Sequence, residues 1–380
     1  MRKQRILVIS NYYYPHIGGI EQVARDIANS LSDDDLVMVI CFSEDNTDKN
    51  EVIDGVEVVK CGAQMKVSSQ SLSVSFGRRL KEVFHSFQPD TVIFEYPNPF
   101  EAHYLLRYLP SETKLILHWQ LDIVKQKFLK LFFEGQTDRL LKRADAVIAT
   151  SPNYIEGSPY LQRYREKITV FPNCIREERV SCTPEIEARA KQIRQNYDGK
   201  HLCFAAGRHV PYKGMSYLVQ AARYLNEDYA VVIAGSGPLS EQLKQEAEGI
   251  PIVQFVGRIS DEELRAYYLA CDVFCFPSVT KNEAFGLAMG EAMRFQKPCV
   301  TFHIPGSGVN YVSLNGVTGL EVENGRADRY AEAIKTICED EELAHRYGLA
   351  AKERAKTLLS YDGFRQNMKN LVRSVNDGRE

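Results

Sequence analysis

The sequence predicts an α/β protein of two Rossmann-like, doubly wound parallel-sheet domains facing a cleft. Three observations carry this. Short apolar runs rich in Val and Ile alternate with segments of helical periodicity from end to end, as βαβ units do. The apolar runs lack polar alternation, as strands covered on both faces do. The alternation breaks once, at about residues 174–200, where the chain turns polar. A length of 380 residues suits two domains.

Residues 5–10 form the first expected strand. After it, Ile20, Val23, Ile27 and Leu31 share one helix face. Strands at 36–42, 56–61, 91–96, 114–118, 146–150 and 168–171 complete the first sheet. The stretch 174–200, with its run REERVSCTPE, reads as a linker and a short helix. Alternation resumes with strands at 201–206, 229–234, 252–256, 272–277, 298–302 and 319–322. The charged C-terminal segment is helical. The expected domains are therefore 1–175, joined by a C-terminal helix at 361–380, and 176–360.

Composition narrows the class. Apolar content is 44% and the net charge is −3, from 47 basic and 50 acidic residues. That argues against disorder and gives no net field for nucleic acid. The opening MRKQRILVIS enters a strand directly, so no secretory leader is expected. No apolar run approaches the ~18 residues of a membrane span. The nine cysteines are scattered without a CxxC pair, so neither a disulfide framework nor a zinc site is expected. Cys271 and Cys275 in CDVFC read as core. A cytoplasmic protein fits these features.

In open parallel sheets, ligands bind beyond the carboxyl ends of the strands. Gly18 and Gly19 lie between the first strand and its helix, where a backbone can approach a ligand and free N–H groups can meet an anion; a plain tight turn is the alternative. Arg208 and Lys213, in AAGRHVPYKG, sit where a helix opens. The dipole there disfavours cations, and a phosphate between them would relieve the conflict; a solvated basic loop is the alternative. Gly235 and Gly237 in VVIAGSGP, and Arg258-Ile259 in VGRIS, follow the next two strands. In FPSVTKNEAFGLAMGEAMRF, Glu283 precedes Phe285-Gly286-Leu287 at a helix mouth, and Glu291 lies within the helix. Eight helical residues rise about 12 Å. The two carboxylates would then hold two ends of an extended polar ligand, with the Phe285, Gly286 and Leu287 N–H groups facing a diphosphate. A buried ion pair is the other reading of Glu291.

GRHVPYKG, IAGSGP, VGRI and the Glu283-AFGLAMG-Glu291 block resemble the donor half of family 4 of the retaining glycosyltransferases, the group 1 enzymes of type B fold. PHIGGIEQ and HWQLD, with His118 and Asp122, fit the other half. The resemblance implies that Arg208 and Lys213 bind the donor diphosphate and Glu291 the ribose. It implies that Glu283 and His118 contact the transferred sugar, that Gly19 admits the phosphate, and that Arg258 and Ile259 line the base. Arg208, Lys213, Glu283 and His118 are the expected catalytic group. Gln296 stands where the family places a glycine at a helix end, which implies altered packing.

The implied reaction is retaining transfer of a hexose or deoxyhexose to a glycan or lipid-linked acceptor in bacterial surface polysaccharide synthesis. The departing phosphate takes the acceptor proton on the front face, and the domains close on the donor. HIPGSGVNYVSLNGVTGL resembles polysaccharide mannosyl- and rhamnosyl-transferases. A GDP-linked mannose-type donor is therefore favoured over a UDP-linked one. No obligatory cofactor or metal is expected, and SDDDL at 32–36 reads as a solvated turn. The mixed cationic and aromatic stretch 125–143 could touch an anionic membrane, at the inner face of the cytoplasmic membrane; an ordinary packed helix is the alternative. A nucleotide-sugar 2-epimerase and a non-catalytic nucleotide-sugar-binding subunit remain as other readings.

Overall fold

In the computed structural model the described residues are 2–16, 18–67, 70–123 and 127–377; the side chains of 66, 67, 70 and 127–132 are not described. The chain divides into Met1–Asn173 with Tyr361–Glu380, the first unit, and Cys174–Ser360, the second.

The first unit contains β1 (Arg5–Ile9), β2 (Leu36–Phe42), β3 (Lys49–Ile53), β4 (Val56–Cys61), β5 (Met65–Val67) and β6 (Gln70–Leu72). It continues with β7 (Thr91–Tyr96), β8 (Lys114–Trp119), β9 (Ala146–Ala149) and β10 (Ile168–Val170). Eight of these form one sheet in the order β10-β9-β8-β7-β1-β2-β4-β3. Its pairings are parallel except β3 against β4. β1 lies between β2 and β7, so strand order reverses there and a crevice opens beyond the carboxyl end of β1.

β3 and the hairpin β5-β6 are strands the apolar pattern did not mark. β3 (KNEVI) is a polar edge strand with mostly exposed side chains. Its signal is the turn: Asp54 and Gly55 both take positive φ, 52° and 80°, as a two-residue hairpin loop requires.

The second unit contains β11 (His201–Ala206), β12 (Tyr229–Ala234), β13 (Val253–Gly257), β14 (Val273–Phe276), β15 (Cys299–Phe302) and β16 (Gly319–Val322). They form one parallel sheet in the order β13-β12-β11-β14-β15-β16. The reversal falls between β11 and β14. Cys203, Cys271, Cys275, Cys299 and Cys338 are all buried in this unit's core.

The polar stretch after β10 holds two helices, Glu177–Val180 and Pro184–Asn196, the second capped by Thr183. The first is tied down by Arg294, whose Nη2 donates to both Glu177 oxygens at 2.7 Å. Arg265 also donates to the Glu178 carbonyl at 2.6 Å.

The C-terminal helix Tyr361–Asp377 packs on the helix Gly19–Leu31 and buries Phe364, Met368 and Val372. Each such burial is worth about 1.5–3 kcal/mol. The turn at 32–36, expected to be merely solvated, anchors this helix. Asp33 pairs with Arg365 at 2.9 Å, and Asp34 with Lys369 at 2.7 Å. The Lys369 contact holds the Asp34 carboxyl below its usual range.

The backbone of the helix Lys127–Arg143 is described. The rest of the 125–143 stretch assigned to membrane contact, including the Phe128, Leu129, Leu131 and Phe132 side chains, lies outside the described residues. Among the described residues, no helix is long and apolar enough to cross a membrane.

Candidate functional site

In the second unit, the sequence-predicted residues gather at the carboxyl ends of β11–β14, around the reversal of strand order. Arg208 follows β11 and is exposed. Its neighbour His209 is buried, with Nδ1 2.9 Å from Ser240 Oγ. Ser240 Oγ also accepts the Gly237 N–H at 2.9 Å. This bonding fixes the turn after β12 against the turn after β11. Burial, aided by nearby Lys244, holds the His209 pKa below its usual value. Gly235 has φ +122°, and a Cβ there would fall 1.9 Å from the Gly207 carbonyl oxygen. Only glycine permits the two turns to meet this closely.

Gly214 does the same on the other side. Its φ is +63°, and a Cβ would lie 2.0 Å from the Pro277 carbonyl oxygen. The loop of β11 is thereby pressed onto the end of β14, which brings Lys213 Nζ to 2.5 Å from Glu283 Oε2. The Lys213 ammonium also lies 5.2 Å from the Phe276 ring centroid. Burial opposes its charge, but Glu283 outweighs burial and the Lys213 pKa is raised. Ser278 Oγ donates to the same Glu283 oxygen at 3.1 Å. Ser307 Oγ donates to the Glu283 carbonyl, and the Gly308 N–H donates to the Ala284 carbonyl at 2.9 Å. The loop carrying Glu283 is thus held at both side chain and backbone.

The helix that follows is shorter than the spacing implied. It spans Leu287–Arg294, so Glu283 lies in the preceding loop and Glu291 about one turn inside. Gly286 is its N-cap at φ +91°, with no side-chain cap, and Phe285 beside it is buried. Such an uncapped first turn suits an anion. Glu291 is buried. Its Oε1 accepts from Arg179 Nε at 2.6 Å and its Oε2 from the Tyr268 hydroxyl at 3.2 Å. The buried ion pair is therefore present, and its carboxylate raises the Arg179 pKa. Arg258 is exposed after β13, and Ile259 is half-buried.

In the first unit, His118 near the end of β8 is fully buried, with Nδ1 3.2 Å from Glu95 Oε1 on β7. Asp122 has a structural place: it accepts from Trp119 Nε1 at 3.0 Å and Ser158 Oγ at 2.8 Å. Gly18 caps the helix Gly19–Leu31 with an extended φ of −176°. Any residue adopts that φ, so backbone conformation does not demand Gly18; a Cβ there would meet only the end of the Glu21 side chain. A cavity of about 220 Å³ opens beyond β1 and β2, lined by Tyr12, His16, Phe42, Glu44, Lys49 and Lys60 among others. Tyr12 and His16 stack at 4.4 Å on its wall.

Arg179, Tyr268 and Glu95 escaped sequence reasoning, because each bears on the site only through a partner distant in the chain; Ser278, five positions before Glu283, carries no pattern of its own that marks it. Among the described residues, no cluster of three or more His, Cys, Asp or Glu side chains could hold a metal ion.

The family described as glycosyl transferases group 1 matches residues 187–354, and the glycosyl transferase 4-like domain matches 18–174. The chain is 27% identical to the O-antigen chain mannosyltransferase C of Escherichia coli, over 94% of this chain and 95% of that one. It is 28% identical to the D-rhamnosyltransferase WbpZ of Pseudomonas aeruginosa, over 92% and 90%. The sucrose-phosphate synthase structure from Thermosynechococcus elongatus superposes with a TM-score of 0.82 at 21% identity, over 99% and 100%. That likeness shows the type B fold.

Proposed function

As the chain belongs to the group 1 glycosyltransferases of family 4, we propose that it moves a mannose-type hexose or deoxyhexose. The donor is a nucleoside diphosphate sugar, the acceptor a glycan or lipid-linked saccharide of surface polysaccharide synthesis, and the anomeric configuration is retained. The Lys213–Glu283 contact at the strand reversal of the second unit carries this reading. A cation held charged by a carboxylate stands beside an uncapped helix N-terminus. In that arrangement Lys213, Arg208 and the first-turn N–H groups stabilise charge growing on the leaving diphosphate. Glu283 aligns the sugar, and the departing phosphate oxygen takes the acceptor proton, so no separate base is needed.

The mannosyl and rhamnosyl relatives support the sugar class. GDP is the favoured nucleotide and UDP the second. The cavity beside Tyr12 and His16, with an aromatic face and side chains that both donate and accept, supports acceptor binding by the first unit.

The test is nucleotide release from GDP-mannose, GDP-fucose, UDP-glucose, UDP-galactose, UDP-N-acetylglucosamine and dTDP-rhamnose, with Glu283→Ala and Lys213→Ala as controls. Slow hydrolysis of one donor, lost in both variants, establishes the site and names the donor. Absence of both hydrolysis and nucleotide binding sinks the assignment. The anomeric proton coupling of the product decides retention.

A further inference from the structure

A buried polar chain runs across three strands of the first unit, beside the reversal of strand order. Ser10 Oγ lies 3.1 Å from Glu95 Oε2, and Glu95 Oε1 lies 3.2 Å from His118 Nδ1. Glu95 is 2% exposed and His118 0%. The chain ends on His118 Nε2, which is buried and has no hydrogen-bond partner among the described residues. A native core seldom leaves such an atom unpaired unless a ligand or water meets it.

We propose that Glu95 is a positioning residue that fixes the His118 tautomer, with the proton on Nδ1 and the lone pair on Nε2 for a hydroxyl of the bound sugar. The proposal rests on the reading of His118 as a ligand-facing residue. A neutral imidazole has one donor and one acceptor, and the partner of one nitrogen decides the role of the other. The single Ser10 hydroxyl proton has two acceptors at 3.1 Å, Glu95 Oε2 and the Tyr12 carbonyl; with the proton on the Glu95 side the carboxylate is ionised, and an ionised carboxylate can only accept from Nδ1–H. Nε2 is then an acceptor, which matches the hydroxyl donors of a sugar.

The second neighbour of Nδ1 is compatible. The Gln120 side-chain amide lies 3.1 Å from it. A half-turn of that amide presents its oxygen to Nδ1–H; its nitrogen then replaces the oxygen that accepts from Asn173 Nδ2 at 3.5 Å, so the Asn173 amide turns with it and its Oδ1, without a partner among the described residues, becomes the acceptor. The other charged group bearing on Glu95 is acidic, Glu21 from the helix Gly19–Leu31, and the neighbouring Glu101 carboxyl of the helix Pro99–Tyr108 has its own pKa lifted by burial. Burial is the largest influence and, with Glu21, sets the Glu95 pKa above its usual value, while His118 and Ser10 limit the rise.

The test uses the full chain labelled with 15N-histidine at pH 8. One of the eight histidines is assigned to His118 by loss of its signals in His118→Gln. Wild-type protein should show Nδ1 protonated and Nε2 bare. In Glu95→Gln, whose amide can donate or accept, that pattern should give way to a mixture or invert. Glu95→Asp keeps the charge and should keep the tautomer, and it reports on the contact if Glu95→Gln does not fold. Sugar release should fall roughly 10–100-fold in Glu95→Gln, as for a hydrogen bond to a charged group, with donor KM unchanged. In a His118→Ala background the same substitution should cost nothing more. An unchanged tautomer in Glu95→Gln, or losses that multiply in the double variant, overturns the proposal. The resonance reads the free protein, so a tautomer that responds while no donor is ever turned over fails the functional reading and not the Glu95 contact.

Discussion

Lys213 Nζ lies 2.5 Å from Glu283 Oε2, with the two side chains only 15% and 10% exposed. Removing either partner strands the other's charge where water barely reaches. We expect Lys213→Met and Glu283→Gln each to lower unfolding free energy by ~2–3 kcal/mol, near the low end for a buried pair. The double variant should recover most of that loss and no turnover. Denaturant midpoints measured beside nucleotide release separate the two effects. A double variant that regains activity would show the pair to be structural only.

Glu291 is held on one oxygen by Arg179 and on the other by Tyr268. These two contacts fix the orientation of the buried carboxylate. If Glu291 receives the ribose hydroxyls, Arg179→Leu should weaken GDP or UDP binding about tenfold, the loss of one charge-assisted hydrogen bond. Glu291→Gln should do the same, and the two together no more than either alone. Calorimetric titration measures all three. Tighter binding in Arg179→Leu would mean that the arginine competes with the nucleotide for Glu291.

Glu101 is fully buried on the helix Pro99–Tyr108, and neither carboxyl oxygen has a partner among the described residues. Burial, reinforced by Glu95, lifts its pKa well above the usual 4.5. From about pH 4.5 upward the folded chain therefore holds a proton at Glu101 that the unfolded chain releases. Stability must then fall as pH rises, until the folded group itself ionises. Glu101→Gln removes this slope. Its stability relative to wild type should increase from pH 5 to pH 8 in urea melts. A constant difference across that range would show that Glu101 does not hold the extra proton.

The strands legible in the sequence are those covered on both faces, such as β12 and β14, where every side chain is buried and the run is apolar without alternation. β3 was hidden because an edge strand can be polar, and only its Asp54-Gly55 turn betrays it. At the site, spacing located the groups that follow strands: Arg208, Lys213 and Glu283. It could not supply their neighbours. Arg179 meets Glu291 across 112 positions of chain, and Glu95 meets His118 because β7 and β8 are adjacent in register. Such contacts arise from the topology of the sheets, which no local pattern of residues encodes.

Gln296 ends the helix Leu287–Arg294 with φ +61°, the left-handed conformation that favours glycine. The side chain also leans on the neighbouring helix: a Cβ at Gly348 would meet Gln296 Cγ at 3.2 Å and its carbonyl oxygen at 2.4 Å. Backbone strain of ~1 kcal/mol is thus retained in exchange for a small packing contact. Gln296→Gly relieves the strain, loses the contact and adds freedom to the unfolded chain. The expected net is a stabilisation of about 0.5 kcal/mol, seen as a higher urea midpoint at constant slope. Gly348→Ala should act the other way, because its methyl group would meet backbone that cannot retreat, and it should cost more than Gln296→Gly gains. If Gln296→Gly were destabilising instead, the contact with Gly348 would be worth more than the strain, and the glutamine would be a packing residue in its own right.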